Sequence, residues 1–265
     1  MDERSTGTDV NTLLARPSSR RGFLKGVAAV STAAAGLGVM VRNADAQAAD
    51  TAQDILNIAA TAEALAVTFY SGGVTNAGAL GLNQDEQNYF IAAAIEEQLH
   101  YNFLTSNGAK PAATTFSVPG GPGTFTDLAV WLSTQQQLEI AFVSAYLAAV
   151  NEFGAMNQPD LARYAYMIGL IEAEHFSLGR TTAEGHNVTF TSTAPSSATR
   201  PADPWGFAPQ LVPTVGDAVG FLQQNGYLSP SGSNSFSYSA IDFTSSTYAT
   251  IYGQMMYTTP TVATS

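Results

Sequence analysis

Cysteine is absent from the 265-residue chain. That absence excludes disulfides, thiolate metal sites and cysteine nucleophiles together, and leaves carboxylate, imidazole and hydroxyl groups to carry any chemistry. Charge is scarce as well. Only 12% of residues are charged, and 21 acidic residues outnumber 10 basic ones, so a phosphate backbone is repelled and no nucleic-acid partner is expected. Histidine is rarer still, with 3 in the chain, which makes the position of each one informative. Apolar residues, in contrast, make up 45%, enough for a sizeable core at this length, and the bulk of the chain reads as neither membrane-embedded nor disordered.

The basic residues are concentrated at the start. Ser19-Arg20-Arg21-Gly22-Phe23-Leu24-Lys25 is followed by a run of small and apolar residues from Gly26 to Val41, too short and too rich in alanine and glycine for a comfortable membrane span. Ala44-Asp45-Ala46 and Ala46-Gln47-Ala48 offer small-x-small cleavage sites, which puts the mature start near Ala49. The segment resembles a twin-arginine export signal, and the resemblance implies export of a folded, cofactor-loaded protein to the periplasm or beyond. The competing reading is an uncleaved N-terminal anchor. After cleavage no stable membrane span is expected, and 4 basic residues face 17 acidic ones, a net charge of about −13.

Beyond residue 48 the apolar periodicity is helical. It predicts a first helix from Thr51 to about Ser71 with Gly72-Gly73 as its stop, and a second from about Gln84 to Ser106 with Asn83 and Glu86 as a capping box. A third runs from about Thr126 to Phe153, and a fourth from about Pro159 to Ala183 with proline in its first turn. The few residues around Gly154 force the last two to be antiparallel neighbours, whereas the Pro-, Gly- and Thr-rich stretch from Asn107 to Thr124 is long enough to return the chain along a bundle. The expected fold is therefore all-α: a four-helix bundle over 49–184 with one long crossover between helices two and three. A mostly irregular C-terminal extension follows over 185–265.

A doubled pattern lies within these helices. Glu63 is followed 34 residues later by Glu97, and Glu139 is followed 33 residues later by Glu172. Each second glutamate has a histidine three residues on, His100 and His175, and each first glutamate has a tyrosine seven residues on, Tyr70 and Tyr146. Residues three apart on a helix share a face, so each Glu-x-x-His pair aims a carboxylate and an imidazole at one point. Two such hairpins related by a pseudo-two-fold axis would bring four carboxylates and two imidazoles to one layer, the ligand set of a two-metal carboxylate site. The charges balance too: two divalent cations offset four glutamates in a dry core. Glutamates are common on helix surfaces, but Glu63 stands between Ala62 and Ala64, and Glu139 between Leu138 and Ile140. Glu96 and Glu174 compete for ligand roles, although only the three-residue spacing occurs in both halves. Tyr70 and Tyr146 could bond a carboxylate or be oxidised in turnover; the plainer role, filling the core with a bonded hydroxyl, is expected. His186 falls outside the repeat and is expected at the surface.

The arrangement resembles the ferritin-like superfamily of di-iron and di-manganese carboxylate proteins, and more narrowly exported bacterial ferritin-like domains, some of them labelled desiccation-related. The resemblance covers about Thr51 to Ala183 and assigns metal-ligand roles to Glu63, Glu97, His100, Glu139, Glu172 and His175. It implies two divalent metal ions, iron first and manganese second, and chemistry with oxygen, peroxide or ferrous iron as substrates. A non-catalytic envelope stress protein with a structural metal site is the alternative. The long extension speaks against a storage cage but is compatible with a smaller homo-oligomer. Its aromatic content, including Trp205, Phe207, Phe221, Tyr227 and Tyr238, is too high for a solvated linker, and a short helix is expected from about Val215 to Gln224.

Overall fold

The structure is a computed structural model, and it describes residues 50–188, 207–208 and 210–255. The paired-arginine segment and its cleavage sites lie outside these residues. Four long helices form the bundle. Helix α1 (Ala52–Thr75) is followed by one short turn, α2 (Ala77–Leu80), then by α3 (Gln84–Ser106), α4 (Leu128–Ala155) and α5 (Pro159–Gly185).

Both helices of the first hairpin begin with the reciprocal cap their sequences offer. Thr51 Oγ1 accepts from Asp54 N while Asp54 accepts from Thr51 N, and Asn83 and Glu86 do the same at α3. Each cap satisfies amide hydrogens that a helix start otherwise leaves unpaired, contributing about 1 kcal/mol. Gly72-Gly73 does not end α1, which continues to Thr75. The two glycines serve packing instead: a Cβ at Gly72 would lie 2.4 Å from the Phe125 ring, and one at Gly73 would lie 2.4 Å from the Trp131 indole. The third helix starts at Leu128 rather than Thr126, because the Asp127 side chain caps Val130 N.

Helices α1 and α3 pack as one hairpin and α4 and α5 as the other. The latter pair is joined by a three-residue turn in which Asn157 takes φ 56°, a left-handed conformation that asparagine tolerates. Helices α1 and α4 are apolar enough to cross a membrane, with mean hydropathy 1.2 each, but 56% and 61% of those windows lie buried within the protein. The connection from Asn107 to Asp127 carries the chain from one hairpin to the other. It is pinned to α1 by Lys110 N donating to Asn57 Oδ1 and Ala112 N to Thr61 Oγ1.

The described part of the extension packs on this bundle, while Trp205 lies outside the described residues. Its helix α6 (Val215–Gln224) starts against two carboxylates: Val215 N donates to Glu152 Oε2 at 2.8 Å and Gly216 N to Asp50 Oδ2 at 2.9 Å, where the helix dipole favours negative charge. Leu211 N and Val212 N both donate to Ser144 Oγ on α4. Tyr227 is fully buried and its hydroxyl donates to Gln137 Oε1. Further on, β2 (Phe236–Ser237) pairs antiparallel with β1 (Thr115–Phe116) of the crossover, and a last short helix, α7 (Ala249–Tyr252), follows.

Candidate metal centre

All six residues of the doubled pattern meet at mid-bundle. Glu97, Glu172, Glu139, Glu63 and His175 are each at most 2% exposed, and the His100 side chain is 13% exposed. They form two groups that share Glu97 and Glu172. One comprises Glu63, Glu97, His100 and Glu172, the other Glu97, Glu139, Glu172 and His175, and the ligating atoms within each group lie within 4.8 Å of one another. His100 Nδ1 is 3.4 Å from Glu63 Oε2, 3.5 Å from Glu97 Oε2 and 3.5 Å from Glu172 Oε1. His175 Nδ1 is 3.0 Å from Glu97 Oε1, 3.5 Å from Glu172 Oε2 and 3.9 Å from Glu139 Oε2. The shared glutamates thus turn one oxygen to each group.

Despite these distances the inward atoms make no hydrogen bonds. Glu63 Oε2, both oxygens of Glu97 and of Glu172, Glu139 Oε2, and Nδ1 of both histidines are all buried without a partner. An orphaned buried carboxylate costs several kcal/mol, so so many in one place mean a missing positive charge. Electrostatics say the same. Burial raises Glu97, Glu172 and, most strongly, Glu139 above the ordinary carboxylate range, with neighbouring carboxylates adding to it. Burial opposes charge on His100 and His175, yet the surrounding glutamates outweigh it and hold both imidazoles well above their usual value. The cluster collects protons when nothing better is offered, and a divalent cation neutralises it more completely. The oxygen-rich, thiolate-free donor set fits a hard or borderline ion.

The outer oxygens are fixed by a crossed pair of tyrosines. Tyr70 on α1 donates to Glu139 Oε1 on α4 at 2.5 Å, and Tyr146 on α4 donates to Glu63 Oε1 on α1. Burial and the nearby carboxylates push both phenols well above their usual range, so both keep their protons and act as donors. Both hydroxyls bond a carboxylate of the cluster, so of the two roles weighed for these tyrosines the structure shows the carboxylate bond in place of the plain core filling that was expected.

Three supporting groups were not singled out as such from sequence. Glu96 Oε2 lies 2.8 Å from His175 Nε2, so it stands behind the imidazole rather than among the inward atoms. Glu174 is exposed and takes no part. Gln135, fully buried, donates from Nε2 to the His175 carbonyl at 2.7 Å and to Tyr70 Oη at 3.0 Å. Gln136 in turn donates to Gln135 Oε1 and to the Phe176 carbonyl. These glutamines reach α5 only because Gly179 is there: a Cβ at that position would sit 1.9 Å from Gln135 Oε1. A run of three glutamines in an apolar helix, the first four residues before Glu139, was the available signal. His186 lies partly exposed at the C-terminal cap of α5, outside the cluster as expected, with its Nε2 2.9 Å from Glu86 Oε2.

A model of the ferritin-like domain family matches residues 51–184. No curated protein and no solved structure matches the chain.

Proposed function

The chain belongs to the ferritin-like domain family, and on that premise we propose that it holds two divalent metal ions, iron before manganese, and uses them in redox chemistry with oxygen, peroxide or ferrous iron. The observation that carries the reading is the set of eight inward nitrogen and oxygen atoms left without hydrogen-bond partners, divided into two groups that share two glutamates. Glu63, Glu97, Glu172 and His100 would hold one ion, and Glu97, Glu172, Glu139 and His175 the other. Bound there, a pair of iron ions supplies the electrons that oxygen or peroxide reduction needs.

The chain's own side chains account for the rest. Four carboxylates offset the charge of two divalent ions, and the apolar packing around Glu97 and Glu172 keeps water away, which strengthens every interaction inside. Tyr70 and Tyr146 keep their phenolic protons on Glu139 Oε1 and Glu63 Oε1, leaving each Oε2 for the centre. Glu96 accepts from His175 Nε2 and so presents the Nδ1 lone pair inward. With no cysteine in the chain, no rubredoxin-like centre within it feeds electrons to the site.

We place this protein among exported ferritin-like domains of the desiccation-related type. The support is the Ser19–Lys25 motif with its small-residue run and cleavage sites. A periplasmic location follows from that signal, and the metal would be loaded before export.

The decisive experiment measures metal content in protein recovered after native export, then ferrous iron oxidation and peroxide consumption by the loaded protein. Two iron ions per chain, with turnover lost in Glu63→Ala, is the expected result. Metal that raises the melting temperature with neither reaction would assign the site to a structural clip, and absence of metal would end the reading.

A further inference from the structure

The two hairpins supply matching ligands but unmatched support. Glu96, the residue before Glu97 on α3, accepts from His175 Nε2 at 2.8 Å; the corresponding residue before Glu172 on α5 is Ile171, which accepts nothing. Among the described residues, the carboxylates within ion-pair distance of His100 are those of Glu63, Glu97 and Glu172, all on its Nδ1 side. A second difference points the same way. Four residues before Glu139 stands Gln135, bonded to the His175 carbonyl and to Tyr70, whereas four residues before Glu63 stands Ala59. Packing differs in parallel. Tyr70 is enclosed by Phe69, Phe90 and Trp131, with rings 4.6–6.5 Å apart, and its own ring meets that of His175 at 5.6 Å. Tyr146 instead borders two apolar cavities, one of about 30 Å³ towards Ala62 and Ala145 and one of about 20 Å³ towards Leu56 and Ile168; Ala59 touches both.

From this we infer that the two metal positions are inequivalent, with Glu96 as the positioning residue that makes the His175 position fill first and hold its ion, and the His100 position the exchangeable one. The inference rests on the two-metal reading above. A carboxylate on the far nitrogen of a ligating imidazole fixes its tautomer and ring orientation and raises its basicity, and losing such a partner typically costs 10–100-fold in metal affinity. His175 has that partner, a braced backbone and a tightly packed aromatic neighbourhood. His100 has a more exposed ring, and its partner glutamate, Glu63, is held by a tyrosine beside empty space, into which side chains can shift when an ion leaves.

Titration of metal-free full-length protein with cobalt(II), followed by visible absorption and calorimetry, tests this without any assay of turnover. The wild type should take up two cobalt ions in two steps whose affinities differ by about 10-fold or more. His100→Ala should remove the weaker step and leave the tighter one. Glu96→Leu should weaken the tighter step by about 10–100-fold and draw the two together, and Glu96→Gln, whose amide oxygen still accepts, should recover part of the difference. Glu96 is 31% exposed, so helix content by circular dichroism should match the wild type in both variants. Two ions binding with equal affinity, or a Glu96→Leu titration identical to the wild type, overturns the inference while leaving the two-metal reading intact. Failure of the wild type to bind cobalt overturns both.

Discussion

Replacing Gly179 by alanine sets two physical effects against each other, and the structure decides the sign. Gly179 lies inside α5, where helix propensity alone makes alanine more stable by about 1 kcal/mol. The added Cβ, however, would sit 1.9 Å from Gln135 Oε1 and 2.7 Å from Gln136 Nε2. A flexible side-chain end normally moves aside at little cost, but Gln135 is fully buried and bonded on both sides, to the His175 carbonyl at 2.7 Å and to Tyr70 Oη at 3.0 Å. Moving it breaks these two bonds and the one it accepts from Gln136. At about 1 kcal/mol per bond, plus about 1–3 kcal/mol for the buried Gln135 amide left unsatisfied, the loss is roughly 4–6 kcal/mol before relaxation. Rearrangement will recover part of that, so we expect a net destabilisation of about 2–4 kcal/mol, read as a lower urea midpoint at unchanged slope. Gly179→Ala should also weaken the cobalt step at the His175 position, since that backbone is what Gln135 holds. A variant as stable as the wild type, or more so, would refute the idea that the glutamine bridge fixes the α4–α5 spacing.

Tyr70→Phe and Tyr146→Phe each free the outer oxygen of one terminal glutamate, and each should lower affinity at the position served by Glu139 or Glu63 by about 10-fold, with the fold retained by circular dichroism. Metal at 1,000 times its dissociation constant stabilises by about 4 kcal/mol per site. Filling two sites should therefore raise Tm by on the order of 15–30 °C, at roughly 2–4 °C per kcal/mol; a shift below a few degrees in calorimetry would speak against occupancy of a buried cluster. Metal-free protein should lose stability as pH rises from the carboxylate range through neutrality, because Glu97, Glu139, Glu172, His100 and His175 all bind protons more tightly folded than unfolded. Metal competes with those protons, so the Tm gain on loading should grow over the same interval, and a gain independent of pH would contradict the assignment. His186→Ala removes a partly exposed contact with Glu86 worth at most about 1 kcal/mol and should leave metal content unchanged, whereas His175→Ala should lower it below two per chain.

What was legible in the sequence is what short-range geometry governs. Glu97 and His100 share a face because a helix turns 3.6 residues at a time, and that holds whatever packs around them. The helix ends marked by side-chain caps, such as Asn83 with Glu86, were legible for the same reason. Gly72-Gly73 misled because glycine serves both as a helix stop and as room for a neighbour, and only the positions of Phe125 and Trp131 distinguish the two. The partners of the tyrosines were out of reach too. Seven residues along a helix is about 10.5 Å, too far for Tyr70 to bond Glu63 of its own helix, and the glutamate it does bond lies 69 residues away on α4. Glu96 looked like a rival ligand because spacing places it near His100; its actual partner, His175, is brought by the other hairpin.

The pseudo-two-fold explains which parts of the pattern repeat. The two ligand groups share Glu97 and Glu172 across the hairpins, so any shift in one ligand spacing would misplace an atom that the other half also needs, and the Glu-x-x-His pairs and the tyrosines at +7 stay matched. No such constraint acts on the support. Glu96 against Ile171 and Gln135 against Ala59 face different surroundings, one half being filled by Trp131 and Phe90 and the other left open around Tyr146 and roofed by Val215, Ala218 and Leu222 of the extension. On the two-metal reading, symmetric ligands in an asymmetric frame would give two ions the same donors but different mobility. If the site keeps one ion while exchanging another, that difference has to come from the frame, and in this chain the residues placed to supply it are Glu96 and Gln135 on one side and the alanines of α1 and α4 on the other.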